Sequence, residues 1–258
     1  MKTVTSKDNQ IYKSALKLTK KKYRDEQGQY LLEGVKPLRD AIDMGISVKW
    51  IFLCEGAGIR IDYLDEKTVV LDRRLFEKLS DTGTSQGVIA VAEKTAYDSG
   101  SFAMAAGKPG SNVVVLDRLQ DPGNIGTIIR TAEAAGYGGI ILTAGSGDVY
   151  SPKVVRAAAG SLFRVPVLYT ATGREAVELL RKMNKRIVTS SLDADDFYYE
   201  ADLTENIALV IGNEGRGVSE DFKESSDIKI KIPMEGSIES LNAAVAAGIL
   251  MYQSQKIK

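Results

Sequence analysis

The sequence of 258 residues predicts an α/β protein, with a C-terminal domain built on a parallel sheet and a smaller α/β domain before it. Three observations carry this. Beyond residue 113, runs of β-branched and apolar residues alternate with stretches of helical periodicity, and the runs show no polar alternation. Strands of that kind need cover on both faces, which helices on either side of a parallel sheet supply. A shorter alternation of the same type occupies 29–92, and a stretch of Gly, Ser, Ala and Pro over 98–112 separates the two, reading as a linker. The predicted organisation is an N-terminal domain at 1–97, a linker at 98–112 and the larger domain at 113–258.

Taken in order, the pattern predicts a helix over 8–24, a strand at 30–32, a helix at 35–44, strands at 48–53 and 68–71, a helix at 73–79 and a strand at 88–91. After the linker, strands at 113–116, 139–142, 186–189, 207–211 and 228–232 alternate with helices at 125–135, 152–160, 174–183 and 240–254; 165–169 is a candidate sixth strand. No internal repeat and no low-complexity tract is present.

Composition narrows the chemistry. Lys and Arg together number 34, as do Asp and Glu, so a nucleic-acid surface has to be a local patch rather than a whole-chain field. Histidine is absent, which removes imidazole as base, nucleophile activator or metal ligand and leads to the expectation of no metal. The single cysteine, Cys54, follows the apolar run Trp50-Ile51-Phe52-Leu53 and reads as a buried strand residue in a reducing compartment. The N-terminus has no apolar signal core, and the longest small-apolar stretch, 243–251, is far below the roughly 18 residues a bilayer span requires. A cytoplasmic location away from membranes is expected.

Three separated segments each follow a strand-like run and lead into a helical one, at the strand ends where α/β sheets collect ligands. The first is Asp121-Pro122-Gly123-Asn124-Ile125-Gly126-Thr127-Ile128-Ile129-Arg130. Ile125, Ile128, Ile129 and Ala132 form a core-facing stripe that turns Arg130 outward, either as a ligand-binding cation or as a solvated one. Asn124 reads as the N-cap of this helix.

The second segment is Ile211-Gly212-Asn213-Glu214-Gly215-Arg216-Gly217. Its glycines fail the phosphate-loop spacing, because Val218 stands where a lysine is required, and no dinucleotide fingerprint follows a strand elsewhere, which disfavours a nicotinamide oxidoreductase. What is left is either a tight turn or a close approach of backbone to a ligand, with Glu214 in the turn.

The third segment runs from Ile232-Pro233-Met234-Glu235-Gly236 through Ser240-Leu241-Asn242. Ser240 reads as the N-cap of a helix rich in small residues, suited either to tight core packing or to a close subunit contact. Separately, Lys13, Lys17, Lys20, Lys21 and Arg24 fall on one face of the first predicted helix, either a solvated face or a surface for a phosphate backbone.

Together the three segments resemble the motifs of the SpoU/TrmH family of RNA ribose 2′-O-methyltransferases in the SPOUT superfamily, over roughly 113–254. Residues 29–92, with Leu32-Glu33-Gly34 and Leu79-Ser80-Asp81-Thr82-Gly83-Thr84-Ser85-Gln86-Gly87, look like that family's L30e-like substrate-binding domain. The resemblance implies a deep trefoil knot, a homodimer with active sites near the subunit interface, and transfer of a methyl group from S-adenosylmethionine to a ribose 2′-hydroxyl, of 23S ribosomal rather than transfer RNA. It implies a catalytic set of Asn124, Arg130, Glu214, Ser240 and Asn242. It also implies that Ser191, Leu192, Gly212, Asn213, Gly217, Ile232, Met234, Ser240 and Leu241 hold the cofactor. The alternative is an RNA-binding or ribosome-assembly protein that keeps the fold without turnover. For Arg130 the family's general-base role competes with phosphate clamping and alkoxide stabilisation, because a guanidinium stays protonated far above neutral pH.

Overall fold

The computed structural model describes residues 2–59, 65–191, 194 and 196–255. The chain divides into two compact units, residues 1–95 with 148–163, and residues 96–147 with 164–258.

The first unit carries a mixed five-stranded sheet. Its elements are β1 (Lys2–Val4), α1 (Gln10–Lys17), α2 (Lys21–Gln27), β2 (Gln29–Glu33), α3 (Val35–Asp43), β3 (Val48–Cys54), β4 (Thr68–Leu71), α4 (Arg73–Leu79) and β5 (Val88–Glu93). The sheet order is β1-β4-β3-β5-β2, with β5 antiparallel to both β3 and β2. Tyr12, Leu18, Phe52, Leu71 and Phe76 are buried in its core. Cys54 is the last residue of β3, only partly buried, and carries a free thiol.

The helix expected over 8–24 is two helices. The chain turns at Leu18-Thr19-Lys20, and α2 ends on Gly28 at φ +63°, which glycine adopts without the Cβ penalty. The predicted basic face is split accordingly, and Arg24 is not on it. The Arg24 side chain is buried, donating from Nε and Nη2 to Asp148 at 2.9 and 2.6 Å and from Nη1 to the carbonyl of Leu18 at 2.8 Å. Lys13 and Lys21 are exposed and pair with Asp8 and Asp25.

Glu33, at the end of β2, organises the loop that follows α4. Its carboxylate accepts from Ser80 Oγ at 2.6 Å, Thr82 Oγ1 at 2.5 Å and the Asp81 amide at 3.0 Å. Burial pushes this carboxyl up, but the hydroxyls of Ser80, Thr82 and Ser85 and the amide outweigh it and hold the group below its ordinary 4.5.

The second unit is the predicted parallel-sheet domain. It comprises α5 (Ser99–Ala106), β6 (Val113–Leu116), α6 (Pro122–Ala134) and β7 (Gly139–Thr143); then, after α7 (Pro152–Ala157), which belongs to the first unit and packs on β2, come β8 (Val167–Thr170), α8 (Gly173–Lys182) and β9 (Arg186–Ser190). The rest is β10 (Asp196–Phe197), β11 (Ile207–Ile211), α9 (Glu220–Glu224), β12 (Ile228–Lys231) and α10 (Ala243–Gln253). The seven strands run parallel in the order β10-β12-β9-β11-β6-β7-β8. Every residue of β6, β7 and β11 is buried, as the unbroken apolar runs require.

The stretch 98–112 is more than a linker. Its first half is α5, closed at the start by a reciprocal Asp98–Ser101 capping box. Phe102 is fully buried, and a methyl group added to Gly139 would lie 2.8 Å from its ring. Truncation of such a ring costs about 3–5 kcal/mol, which places α5 in the core.

Candidate active site

The chain leaves β6 to one side of the sheet, toward β7, while β11 lies on the other side of β6, so the loops after β6 and β11 face each other at a topological switch point. Three sequence segments meet there through side-chain hydrogen bonds. Asn242 donates from Nδ2 to Asn124 Oδ1 at 2.9 Å, and Asn124 donates from Nδ2 to Glu214 Oε1 at 3.2 Å. Glu214 Oε1 also accepts the Asp121 amide at 3.2 Å. A carboxylate only accepts, so the Asn124 amino group has to face Glu214 and its oxygen has to face Asn242. The orientation of each amide is therefore fixed by its neighbour.

Both helix starts differ from the sequence reading. The N-cap of α6 is Asp121, whose Oδ1 accepts the Asn124 amide at 2.8 Å, and Pro122 fills the first helical position. Asn124 sits one turn inside, which frees its side chain to bridge. The N-cap of α10 is Asn242, whose Oδ1 accepts the amides of Ala244 and Val245 at 2.9 and 3.3 Å. Ser240 lies two residues before the cap, exposed, with no hydrogen bond among the described residues. Asn242 thus does two jobs: its oxygen takes the helix's free amides and its amino group joins Asn124.

The loop 213–217 closes on itself through Asn213 N–H to Gly217 O at 3.1 Å and Gly217 N–H to Asn213 O at 2.9 Å. Asn213 Oδ1 accepts the amides of Gly215 and Arg216. A Cβ at Gly212 would lie 2.3 Å from the Gly217 carbonyl carbon and 2.4 Å from the Val218 nitrogen, so glycine is required there by the returning chain. Gly217 has φ +65°. The tight-turn reading accounts for both glycines.

Between β12 and α10 the amides of Met234 to Leu241 have no hydrogen-bond partner within the chain among the described residues. Beside them Phe197, Lys231, Ile232, Met234, Ser237 and Ile238 line an open cleft of about 530 Å³, within the roughly 300–1,000 Å³ range of small-molecule sites. Unused main-chain donors next to a cleft of this size fit a nucleoside-bearing cofactor. Ser191 closes β9, its amide bonded to the Ile230 carbonyl at 3.0 Å, and Leu192 lies outside the described residues. Of the residues expected to hold the cofactor, Ile232 and Met234 line this cleft, and Ser191, Gly212, Asn213, Gly217, Ser240 and Leu241 do not.

Arg130 is exposed on α6 and has no hydrogen bond or ion pair among the described residues, so it is not joined to the Asn124–Glu214–Asn242 chain within one protomer. Sequence reasoning missed Asp121, although Asp followed by Pro at a helix start is a readable signal. Among the described residues no group of His, Cys, Asp or Glu is arranged to hold a metal ion, and no helix is long and apolar enough to cross a membrane.

Known proteins place this geometry in context. The model of the SpoU rRNA Methylase family matches residues 111–252, and that of the MRM3-like substrate binding domain matches residues 9–90. A 23S rRNA (guanosine(2553)-2′-O)-methyltransferase, RlmP of Bacillus subtilis, is 34% identical over 98% of both chains. A 23S rRNA (uridine(2479)-2′-O)-methyltransferase of Streptomyces viridochromogenes is 31% identical over 97% of this chain and 91% of its own. Among solved structures, an AdoMet-bound rRNA methyltransferase from Sinorhizobium meliloti superimposes with a TM-score of 0.87 at 30% identity, over 98% of this chain and 97% of its own. With its motifs joined at one strand-end crevice and its relatives matched end to end, this chain belongs to the SpoU rRNA methylase family.

Proposed function

We propose that this protein is an S-adenosylmethionine-dependent methyltransferase acting on a ribose 2′-hydroxyl of 23S ribosomal RNA. The observation that carries the reading is the Asn242–Asn124–Glu214 hydrogen-bond chain, which draws the three motif segments into one site. Full-length likeness to two 23S rRNA 2′-O-methyltransferases supports the substrate class.

S-adenosylmethionine supplies an electrophilic sulfonium methyl. Ile232 and Met234 in the cleft, with the unused amides of Ser240 and Leu241 following in the same segment, would hold it. Asn124 and Glu214 orient the incoming ribose: each asparagine keeps one N–H uncommitted, and Glu214 Oε2 accepts no bond among the described residues. When bound, the cofactor would give its methyl carbon to the 2′-oxygen and leave as S-adenosylhomocysteine, and the hydroxyl proton would pass to solvent water. Arg130 stabilises the alkoxide and clamps the adjoining phosphate rather than taking that proton, because a guanidinium does not give up its own near neutral pH. Orientation alone can lower the barrier by about 7–11 kcal/mol.

Arg130 has no partner among the described residues of its own protomer, which suits a homodimer in which it serves the partner's site, with the knotted C-terminal segment and cytoplasmic location of the family. Val245 and Tyr252, both half-exposed on α10, offer apolar surface for such a contact. In the N-terminal unit Lys13, Lys17, Lys20 and Lys21 are exposed and form the RNA-facing surface. The test is incubation with methyl-tritiated S-adenosylmethionine and unmodified 23S rRNA, followed by mapping of methylated riboses. Label at one 2′-position is expected; bound cofactor with no transferred label across a salt series would sink the reading and favour a non-catalytic RNA-binding protein.

A further inference from the structure

Four non-glycine residues among those described have a left-handed backbone: Arg118, Ala159, Asn184 and Asn206. Arg118, at φ +58°, is the one with a long charged side chain, at a position that glycine or asparagine would occupy with less strain. Its backbone is held on both sides. The amide donates to Thr143 Oγ1 at 3.0 Å, and the carbonyl accepts Asn213 Nδ2 at 2.9 Å. The stem rests near Gly145, where an added Cβ would lie 3.5 Å from Arg118 Cγ. The side chain is thereby aimed rather than loose.

What it is aimed at leaves its donors largely unused. Nη2 reaches Asp117 Oδ2 and the Gly217 carbonyl at 3.5 Å each, the outer limit of a hydrogen bond, and Nε is buried with no partner among the described residues. Asp117 is already committed, because its carboxylate takes Thr143 Oγ1 at 3.0 Å and the Ser219 amide at 2.7 Å and it is 1% exposed. The Arg118 side chain, at 35% exposure, reaches toward the 213–217 loop that carries Glu214, and its Nη1 has no hydrogen bond among the described residues and is left to meet an anion.

We propose that Arg118 binds a backbone phosphate of the substrate RNA beside the ribose to be methylated; this rests on the methyltransferase reading above. Arg118 is a substrate-positioning residue, distinct from the groups that meet the 2′-oxygen. Its sequence position, two residues beyond β6, puts the contact at the same strand-end crevice as Asn124.

The test uses full-length Arg118→Gly, with Arg118→Asn as a second left-handed-tolerant variant should the first fold poorly. Binding of unmodified 23S rRNA is measured across a potassium chloride series. Loss of one phosphate contact should make the slope of log affinity against log salt shallower by about 0.7–0.9. The KM for RNA should rise about tenfold, with the loss falling on KM rather than kcat and with the Kd for S-adenosylhomocysteine unchanged. An unchanged slope and KM would overturn the assignment. A weakened Kd for S-adenosylhomocysteine with the RNA slope intact would also overturn it, giving the guanidinium to the cofactor's carboxylate. Failure of wild type to transfer methyl groups would count against the methyltransferase reading, while the salt slope would still report on Arg118.

Discussion

Glu33 and Glu214 each hold a loop at the end of a strand, and they do so to opposite degrees. Glu33 is half-buried and takes short bonds from Ser80, Thr82 and the Asp81 amide at 2.5–3.0 Å, with the Ser85 hydroxyl also acting on it. Glu214 is exposed and takes two long ones, both at 3.2 Å and both on the same oxygen. A saturated carboxylate fixes architecture; an unsaturated one keeps an acceptor for something that arrives. By this criterion the loop after α4 is a shaped surface, whereas the loop after β11 keeps an open acceptor.

Substitutions can break that contrast. The largest effect is expected at Arg130: Arg130→Ala should lower kcat about 10²–10³-fold, as removal of a transition-state donor does, while S-adenosylhomocysteine binds as before by calorimetry. Next, Asn124→Ala cuts the chain between Asn242 and Glu214. Single-turnover methyl transfer should fall by about 10²-fold with the melting temperature within about 2 °C of wild type, since the bridge is exposed. Glu33→Ala should invert the pattern. It leaves Ser80, Thr82 and the Asp81 amide without their acceptor, costing about 1 kcal/mol, or roughly 2–4 °C of melting temperature, with kcat little changed.

The smallest effect is a pH dependence. Because the Glu33 carboxyl titrates below its ordinary 4.5 when folded, its contribution to stability is present above pH 4.5 and is lost as pH falls through the folded value. In acid melts the gap between wild type and Glu33→Gln should therefore close as the pH drops below 4.5. A gap that stays constant across that window would mean that Glu33 is not held as an anion.

The fold was legible where one physical signal dominated. Strands 113–116, 139–143 and 207–211 are continuous apolar runs because both faces are covered, and the sequence pattern finds them within a residue. Lys2–Val4 and Asp196–Phe197 were invisible, because strands of three and two residues carry no period. The helix at 99–106 hid behind glycine, serine and alanine, residues that serve loops and tight packing equally. At the candidate site the motif residues Asn124, Glu214 and Asn242 do converge, but the N-caps expected at Asn124 and Ser240 are Asp121 and Asn242. Caps depend on backbone geometry that spacing alone does not specify. Arg24 failed for a different reason: its partner Asp148 lies 124 residues away, and no local periodicity announces a buried ion pair of that range.

That pairing has a practical consequence for anyone dissecting the chain. The N-terminal fold borrows 148–163, so a fragment cut after residue 97 would lack both the helix that covers β2 and the anion beneath Arg24. An interior guanidinium stripped of its counter-charge is strongly destabilising. The N-terminal unit is thus not a removable cassette, and grafting it elsewhere requires transplanting the stretch that encodes 148–163 as well.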